Sequence, residues 1–260
     1  DSIHTEELLA SALLEAKKEH AIISINHPFL TPWAWLYKDF SLQDLNCLEI
    51  INDPTFPDNH IANMKAILLL DRLWEDGWQI CGIGGSDTHA LLHEWYTPSS
   101  GPSIVGDPTT HVYANGLCQD SVLNGLRKRN VMVTRYMNPH LEMTINGKAI
   151  LPGTEIREDG ILQLRFHGEK IRNRPSFYIV MDGHRTDLSC SYEPDYETVS
   201  FTYEMKWDHR TYHWFRIGAE NENQDCILYI NPVFSNYRKH RYSTFGEIAD
   251  GLQSDQRNHI

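Results

Sequence analysis

The hydrophobic period of this chain changes once, at Asn138-Pro139, and that change constrains the fold more than any other feature. Ahead of it, short continuous apolar runs alternate with amphipathic stretches of helical period. Thr5 is placed to cap a first helix, with Glu6 and Glu7 in its first turn, Leu8, Leu9, Ala12, Leu13 and Ala16 as its apolar stripe and Lys17 and Lys18 at its end. Residues 21–25, 47–51 and 78–83 read as strands buried on both faces. Pro28 and Asp53-Pro54 stop the first two. A second helix opens at Asn59, carries Ile61, Met64, Ile67 and Leu68 on one side, and closes at Gly77. Residues 111–114 and 131–134 read as two more strands, joined by a helix over 121–129. Strands separated by helices predict an α/β unit with a mainly parallel sheet over residues 1–138.

Beyond the change, residues 141–145 alternate strictly and run into the hairpin signal Asn146-Gly147. Residues 161–167, 176–181, 198–206, 211–217 and 226–230 follow with the same period, and Asp182-Gly183 marks another turn. This predicts an antiparallel β-sandwich of immunoglobulin-like type over residues 139–235, although the cysteine–tryptophan–cysteine pattern of antibody domains is missing. Residues 236–260, with the basic run Arg238-Lys239-His240-Arg241, read as a polar tail.

Charge and composition narrow the partners. The 260 residues carry 23 Lys and Arg against 35 Asp and Glu, a net charge of −12, which excludes sequence-independent binding to nucleic-acid phosphates. The longest apolar runs, residues 21–25 and 66–70, fall far short of the roughly 20 residues that span a bilayer, so no membrane partner is expected. Five cysteines at wide spacing, without a C-x-x-C, read as buried thiols of a reducing compartment, and a cytoplasmic location is the expectation.

The chemistry collects at strand ends, where a parallel sheet presents its polar loops. Asn26-His27-Pro28 follows the first strand, Glu49 and Asn52 end the second, and Gly84-Gly85-Ser86-Asp87-Thr88-His89 follows the third. Asp87 and His89 are two apart, so extended backbone would point both the same way, a pairing suited to a divalent metal. Gly82, Gly84 and Gly85 leave room for a ligand or an adjoining strand. Each residue alone has an ordinary reading: a turn aspartate, an exposed histidine, a structural histidine before proline. A carboxylate buried at Glu49 needs a partner, either a metal-bound group or an arginine. The joint pattern of three polar strand ends is what points to metal.

These segments resemble the PHP family (polymerase and histidinol phosphatase) of metal-dependent phosphoesterases. The likeness lies in Ile25-Asn26-His27-Pro28, Leu48-Glu49-Ile50-Ile51-Asn52 and Gly84-Gly85-Ser86-Asp87-Thr88-His89, in that order. Pro32-Trp33, residues 108–113 and residues 131–134 look like its carbaryl-hydrolase-like branch, and Ile230-Asn231-Pro232-Val233 looks like the end of the β-sandwich that branch appends. The resemblance implies a β/α barrel of PHP type, present here as its C-terminal half and followed by the sandwich. It implies divalent zinc, manganese or iron held by His27, Asp87 and His89, with Glu49 and Asn52 lining the site and Arg135 placed to contact an anionic substrate. A metal-bound hydroxide would be the nucleophile.

No His-x-His pair, the family's opening ligand motif, begins this chain. The expectation is therefore a metal-dependent hydrolase of small phosphoesters whose present stretch holds at most one weak mononuclear site and is inactive alone. A carbamate or ester substrate, a non-catalytic binding module with a degenerate metal site, and an interaction protein remain open. Half a barrel exposes strand edges and an apolar face, so a homo-oligomer is expected to cover them.

Overall fold

A computed structural model describes residues 6–90, 93–98, 100–194 and 197–257; the proposed Thr5 cap lies outside them. Helix α1 spans Glu6–Lys18, and β1 (Ser24–Ile25), β2 (Cys47–Asn52), α2 (Asn59–Glu75) and β3 (Cys81–Gly85) follow. Next come β4 (Thr109–Val112), α3 (Gln119–Arg127) and β5 (Val131–Thr134). Ten strands then run without a helix: β6 (Asn138–Ile145), β7 (Lys148–Ile150), β8 (Gly160–Glu169), β9 (Ser176–Met181), β10 (His184–Asp187), β11 (Ser191–Tyr192), β12 (Thr198–Trp207), β13 (His213–Glu220), β14 (Cys226–Ile230) and β15 (Val233–Ser235). Helix α4, Phe245–Arg257, closes the chain.

Strands β1, β2 and β3 form a three-stranded parallel sheet in that order, with Ser24 opposite Cys47 and Cys47 opposite Cys81. The sheet stops there. Strands β4 and β5 pair antiparallel with each other, and β5 pairs antiparallel with β14, Tyr229 opposite Val133. No barrel closes among the described residues, and the expected partial β/α barrel of PHP type is overturned: the chain is mostly β, and two strands expected in the parallel sheet belong to an antiparallel one. The cause is visible in β5. Its four residues are all buried, and a run buried on both faces reads alike in a parallel sheet and in an antiparallel sheet covered on both sides.

That antiparallel sheet has seven strands, ordered β10-β9-β13-β14-β5-β4 with β15 also on β13. One face packs on a five-stranded antiparallel sheet, ordered β11-β12-β8-β6-β7, through Phe177, Phe215, Ile217 and Leu228 against Leu164, Phe166 and Phe201. The other face carries Val133, Tyr178, Val180, Trp214 and Tyr229 into a second core with α2 and the parallel sheet. The strands on either side of residue 139 therefore share one sheet, and the molecule is layered as sheet, sheet, then helix with small parallel sheet.

Helix α2 buries Ala62, Ala66, Leu69, Leu70, Leu73 and Trp74; each buried leucine contributes roughly 2 kcal/mol. This is not the side marked in the sequence: Ile61, Met64 and Leu68 are exposed. The helix is apolar most of the way round, so period alone did not select its buried face.

Within residues 236–252 the expected polar tail is instead a packed strap. Phe245, Ile248 and Ala249 are buried in the α2 core, and Asp76, just past the end of α2, accepts hydrogen bonds from the backbone N–H groups of Arg241 and Tyr242 and from Arg241 Nε. His240 stacks on Trp78 at 3.8 Å between ring centroids. The parallel strands need no external cover either. Ile25, Leu48 and Ile50 are fully buried within the one chain, so their apolar side chains are covered without a second copy.

Candidate metal site

Because β1, β2 and β3 are parallel, the loops leaving their C-terminal ends emerge together, and they enclose a cleft of about 350 Å³. His27, Asn52, Asp87 and His89 all line it. Four of the six site residues read from the sequence thus meet in one place.

Glu49 does not line the cleft but lies beneath it. A β-bulge between Glu49 and Ile51 shifts the pairing of β2 with β3. In a regular strand, residues three apart face opposite ways; the bulge re-aims the strand end, and Asn52 Nδ2 donates to Glu49 Oε2 at 3.2 Å. The His27 N–H donates to the same oxygen at 2.8 Å. Burial lifts the Glu49 carboxyl to about 7, the negative charge of Asp87 pushes the same way, and the two hydrogen bonds pull it down in part.

His27 and Asp87 both adopt left-handed backbone, with φ of +33° and +46°, a conformation that costs a non-glycine residue about 1 kcal/mol or more. Asp87 and His89 are therefore not aligned by extended backbone as the sequence suggested. They approach across a turn, His89 Nε2 standing 4.0 Å from Asp87 Oδ1. The glycines make room for protein, not ligand: a Cβ on Gly82 would lie 2.6 Å from Leu70, and one on Gly84 2.8 Å from Val133 and from the Ile51 carbonyl oxygen.

Glu94, Tyr96 and Asp53 also line the cleft and were not singled out as site residues in the sequence. Glu94 Oε2 accepts the His89 and Ala90 N–H groups at 2.6 and 3.3 Å and so fixes the loop that carries His89. Those N–H donors hold its carboxyl below the usual range. Its other oxygen, Oε1, lies 3.7 Å from His89 Nδ1. Tyr96 Oη stands 2.8 Å from Asp53 Oδ2 and 2.9 Å from Glu94 Oε1, so one phenol proton serves two carboxylates. The signal available in the sequence was the pair Glu94 and Tyr96, two apart in a stretch without apolar period, together with Asp53 directly after a buried strand.

Arg135 is elsewhere. It is buried and pairs with Asp107 through Nε at 2.8 Å and Nη2 at 3.1 Å. It is a buried structural ion pair, and Arg135 does not line the cleft. Cys47, Cys81 and Cys226 are buried free thiols, whereas Cys190 is half-buried and Cys118 exposed, so the expectation of five buried thiols holds for three.

No family model matches the chain, and neither a curated protein nor a solved structure matches it. Among the described residues no helix is long and apolar enough to cross a membrane.

The donors fit a divalent ion in kind. His27 Nδ1 is buried at the cleft without a hydrogen-bond partner, as is Asn59 Oδ1, and imidazole with carboxylate suits zinc, manganese or iron. They fall short in convergence. Among the described residues, the only histidine, cysteine or carboxylate trio with donor atoms within 4.8 Å of one another is Asp159, Asp208 and His209. Both aspartates of that trio are exposed and already paired, Asp159 with His209 Nδ1 at 2.7 Å and with Arg210 at 3.4 Å, and Asp208 with Arg210 at 3.2 Å.

Proposed function

We propose that the cleft at the ends of β1, β2 and β3 binds one divalent ion, zinc, manganese or iron, and serves the hydrolysis of a small phosphoester. The observation that carries this reading is the unpartnered Nδ1 of His27 beside Asp87, His89 and Glu94. A buried imidazole nitrogen without a partner is costly unless something occupies it.

His27, Asp87 and His89 would hold the ion. When bound, it would acidify a water molecule and offset charge on a phosphoryl oxygen. The protein's own groups set the rest. Glu49 fixes the backbone of His27, and Glu94 fixes the loop of His89. Phe56 packs edge-on against Tyr96 at 4.8 Å and against Trp33 at 6.3 Å, a wall suited to the apolar part of an ester. Among the described residues no lysine or arginine lines the cleft, whereas Asp53, Asp87 and Glu94 do, so a phosphate needs the ion to enter. The same lining keeps a carbamate or carboxylic ester as a second substrate class, since a neutral group meets no repulsion there.

Catalytic metal sites use about three protein ligands with one position open. With donors this loosely gathered, turnover is expected to be slight. Equilibrium dialysis against zinc tests the reading. Uptake of one ion, abolished in His27→Ala with His89→Ala, is the expected result; equal uptake by wild type and double variant would overturn it. Zinc uptake without turnover of any ester would assign the cleft to a non-catalytic binding module.

A further inference from the structure

A second cleft, of about 310 Å³, lies between α2 and the outer face of the seven-stranded sheet, and it shares no lining residue with the first. At its base is Arg216 of β13, 3% exposed. Its Nε and Nη2 donate to the two Asp71 oxygens at 2.7 and 2.5 Å. Its guanidinium lies over the Tyr229 ring at 4.6 Å and near that of Tyr178 at 5.5 Å. Gly218 is what lets Tyr178 lie there, because a Cβ at that position would fall 2.5 Å from the phenol ring.

Arg216 Nη1 is buried and has no hydrogen-bond partner. Leaving those N–H groups without an acceptor is costly, and a native structure that tolerates this calls for an occupant. The cavity beside it is far larger than the roughly 30 Å³ share of one water. A second, independent observation concerns α2. Met64, Ile67 and Leu68, the apolar side legible in the sequence, line this cleft, and Met64 and Leu68 stay exposed.

The arginines of the cleft are matched before any ligand arrives. Asp71 offsets Arg216, Glu220 offsets Arg185 in a bidentate pair at 2.7 and 2.9 Å, and Asp107 offsets Arg135 at 2.8 Å. The site therefore calls for a hydrogen-bond acceptor on an apolar frame, not for a polyanion. We propose that this cleft binds a compact amphipathic molecule, its carbonyl or carboxylate oxygen on Arg216 Nη1 and its apolar body along Met64, Ile67 and Leu68.

Three probes of one shape test this on the whole chain: phenylacetate, phenylacetamide and phenethylamine, titrated into ¹⁵N-labelled protein. The two oxygen-bearing probes are expected to give saturable shifts in residues 59–75 and 213–220, with a dissociation constant on the order of 1 mM for ligands of this size. Whichever binds more tightly tells whether the natural ligand is an anion or a neutral carbonyl compound. The amine is expected to give none, because Nη1 can only donate. Replacing Arg216 would strand Asp71 and endanger folding, so the site is challenged from the rim. Met64→Trp fills the cleft from a half-exposed position and is expected to weaken binding about tenfold or more, as loss of the apolar contact requires. No saturable shift from either oxygen-bearing probe, equal binding of the amine, or binding unaltered by Met64→Trp would each overturn the proposal.

Discussion

The side chain of Asn231 clasps the peptide of Gly82: its Oδ1 accepts the Gly82 N–H at 2.7 Å and its Nδ2 donates to the Gly82 carbonyl at 2.9 Å. Nδ2 also reaches the Val131 carbonyl at 3.1 Å. All of this is buried. One amide thereby fastens β3 of the parallel sheet to β5 of the seven-stranded sheet, and the loop bearing Asp87 and His89 leaves from the end of the fastened strand.

Asn231→Ala should destabilise the protein by about 3 kcal/mol, since two or more buried backbone groups lose their partner at about 1–3 kcal/mol each. Urea unfolding reads this directly. A loss within about 0.5 kcal/mol, the usual scatter of neutral surface changes, would mean that the clasp is not holding the layers together.

Glu49 should make stability depend on pH. Its folded carboxyl binds a proton up to about pH 7, against an ordinary value of 4.5, so folding takes up a proton between those values. Stability is then greatest below about pH 4.5 in this contribution, falls as pH rises, and levels off above 7, a total of about 3 kcal/mol at 1.36 kcal/mol per unit. Glu49→Gln keeps an oxygen for His27 N–H and Asn52 and removes the charge. Its expected signature is a flatter stability profile between pH 5 and 7 and higher stability at pH 8. An unchanged slope would show that Glu49 is not the group responsible.

Arg135 separates a structural role from a substrate role. Asp107→Ala leaves the buried guanidinium unpaired and should cost about 3–5 kcal/mol, the usual result of breaking a buried ion pair from one side. Zinc uptake at the first cleft should be unchanged in whatever fraction remains folded, because Arg135 does not line it. Altered metal affinity at full folding would return Arg135 to the site.

Gly84→Ala is expected to cost about 2 kcal/mol through overpacking, because the new methyl would meet the Ile51 carbonyl and Val133 at 2.8 Å. Thermal melting would show it. A neutral outcome would mean that β3 can move away from β5.

Strand ends were the legible part of this molecule. Pro28 and Asp53-Pro54 stop two apolar strands and Gly84-Gly85 forms the end of a third, at the level where a parallel sheet gathers its loops, and His27, Asn52, Asp87 and His89 do line one cleft. Pairing partners were not legible. Residues 131–134 are buried throughout, and nothing in their period tells a parallel neighbour from β14. The bulge that places Glu49 under the cleft leaves no mark in the sequence, since Leu48-Glu49-Ile50-Ile51 reads as a plain strand. Helix α4 was legible but passed over: Phe245, Ile248, Ala249 and Leu252 recur at helical spacing within a stretch whose charges suggested a tail. Arg216 lay hidden between apolar neighbours on β13, and only the cavity beside it gives it meaning.

Paramagnetic broadening by manganese tests the central claim most directly, because it locates an ion instead of counting it. With manganese added to ¹⁵N-labelled protein at low molar ratio, the amide signals of residues 26, 27, 86–90 and 94–96 should broaden first, and His27→Ala with His89→Ala should abolish the effect. Broadening confined to Asp159, Asp208 and His209, or persisting in the double variant, would contradict a metal site at the ends of β1, β2 and β3.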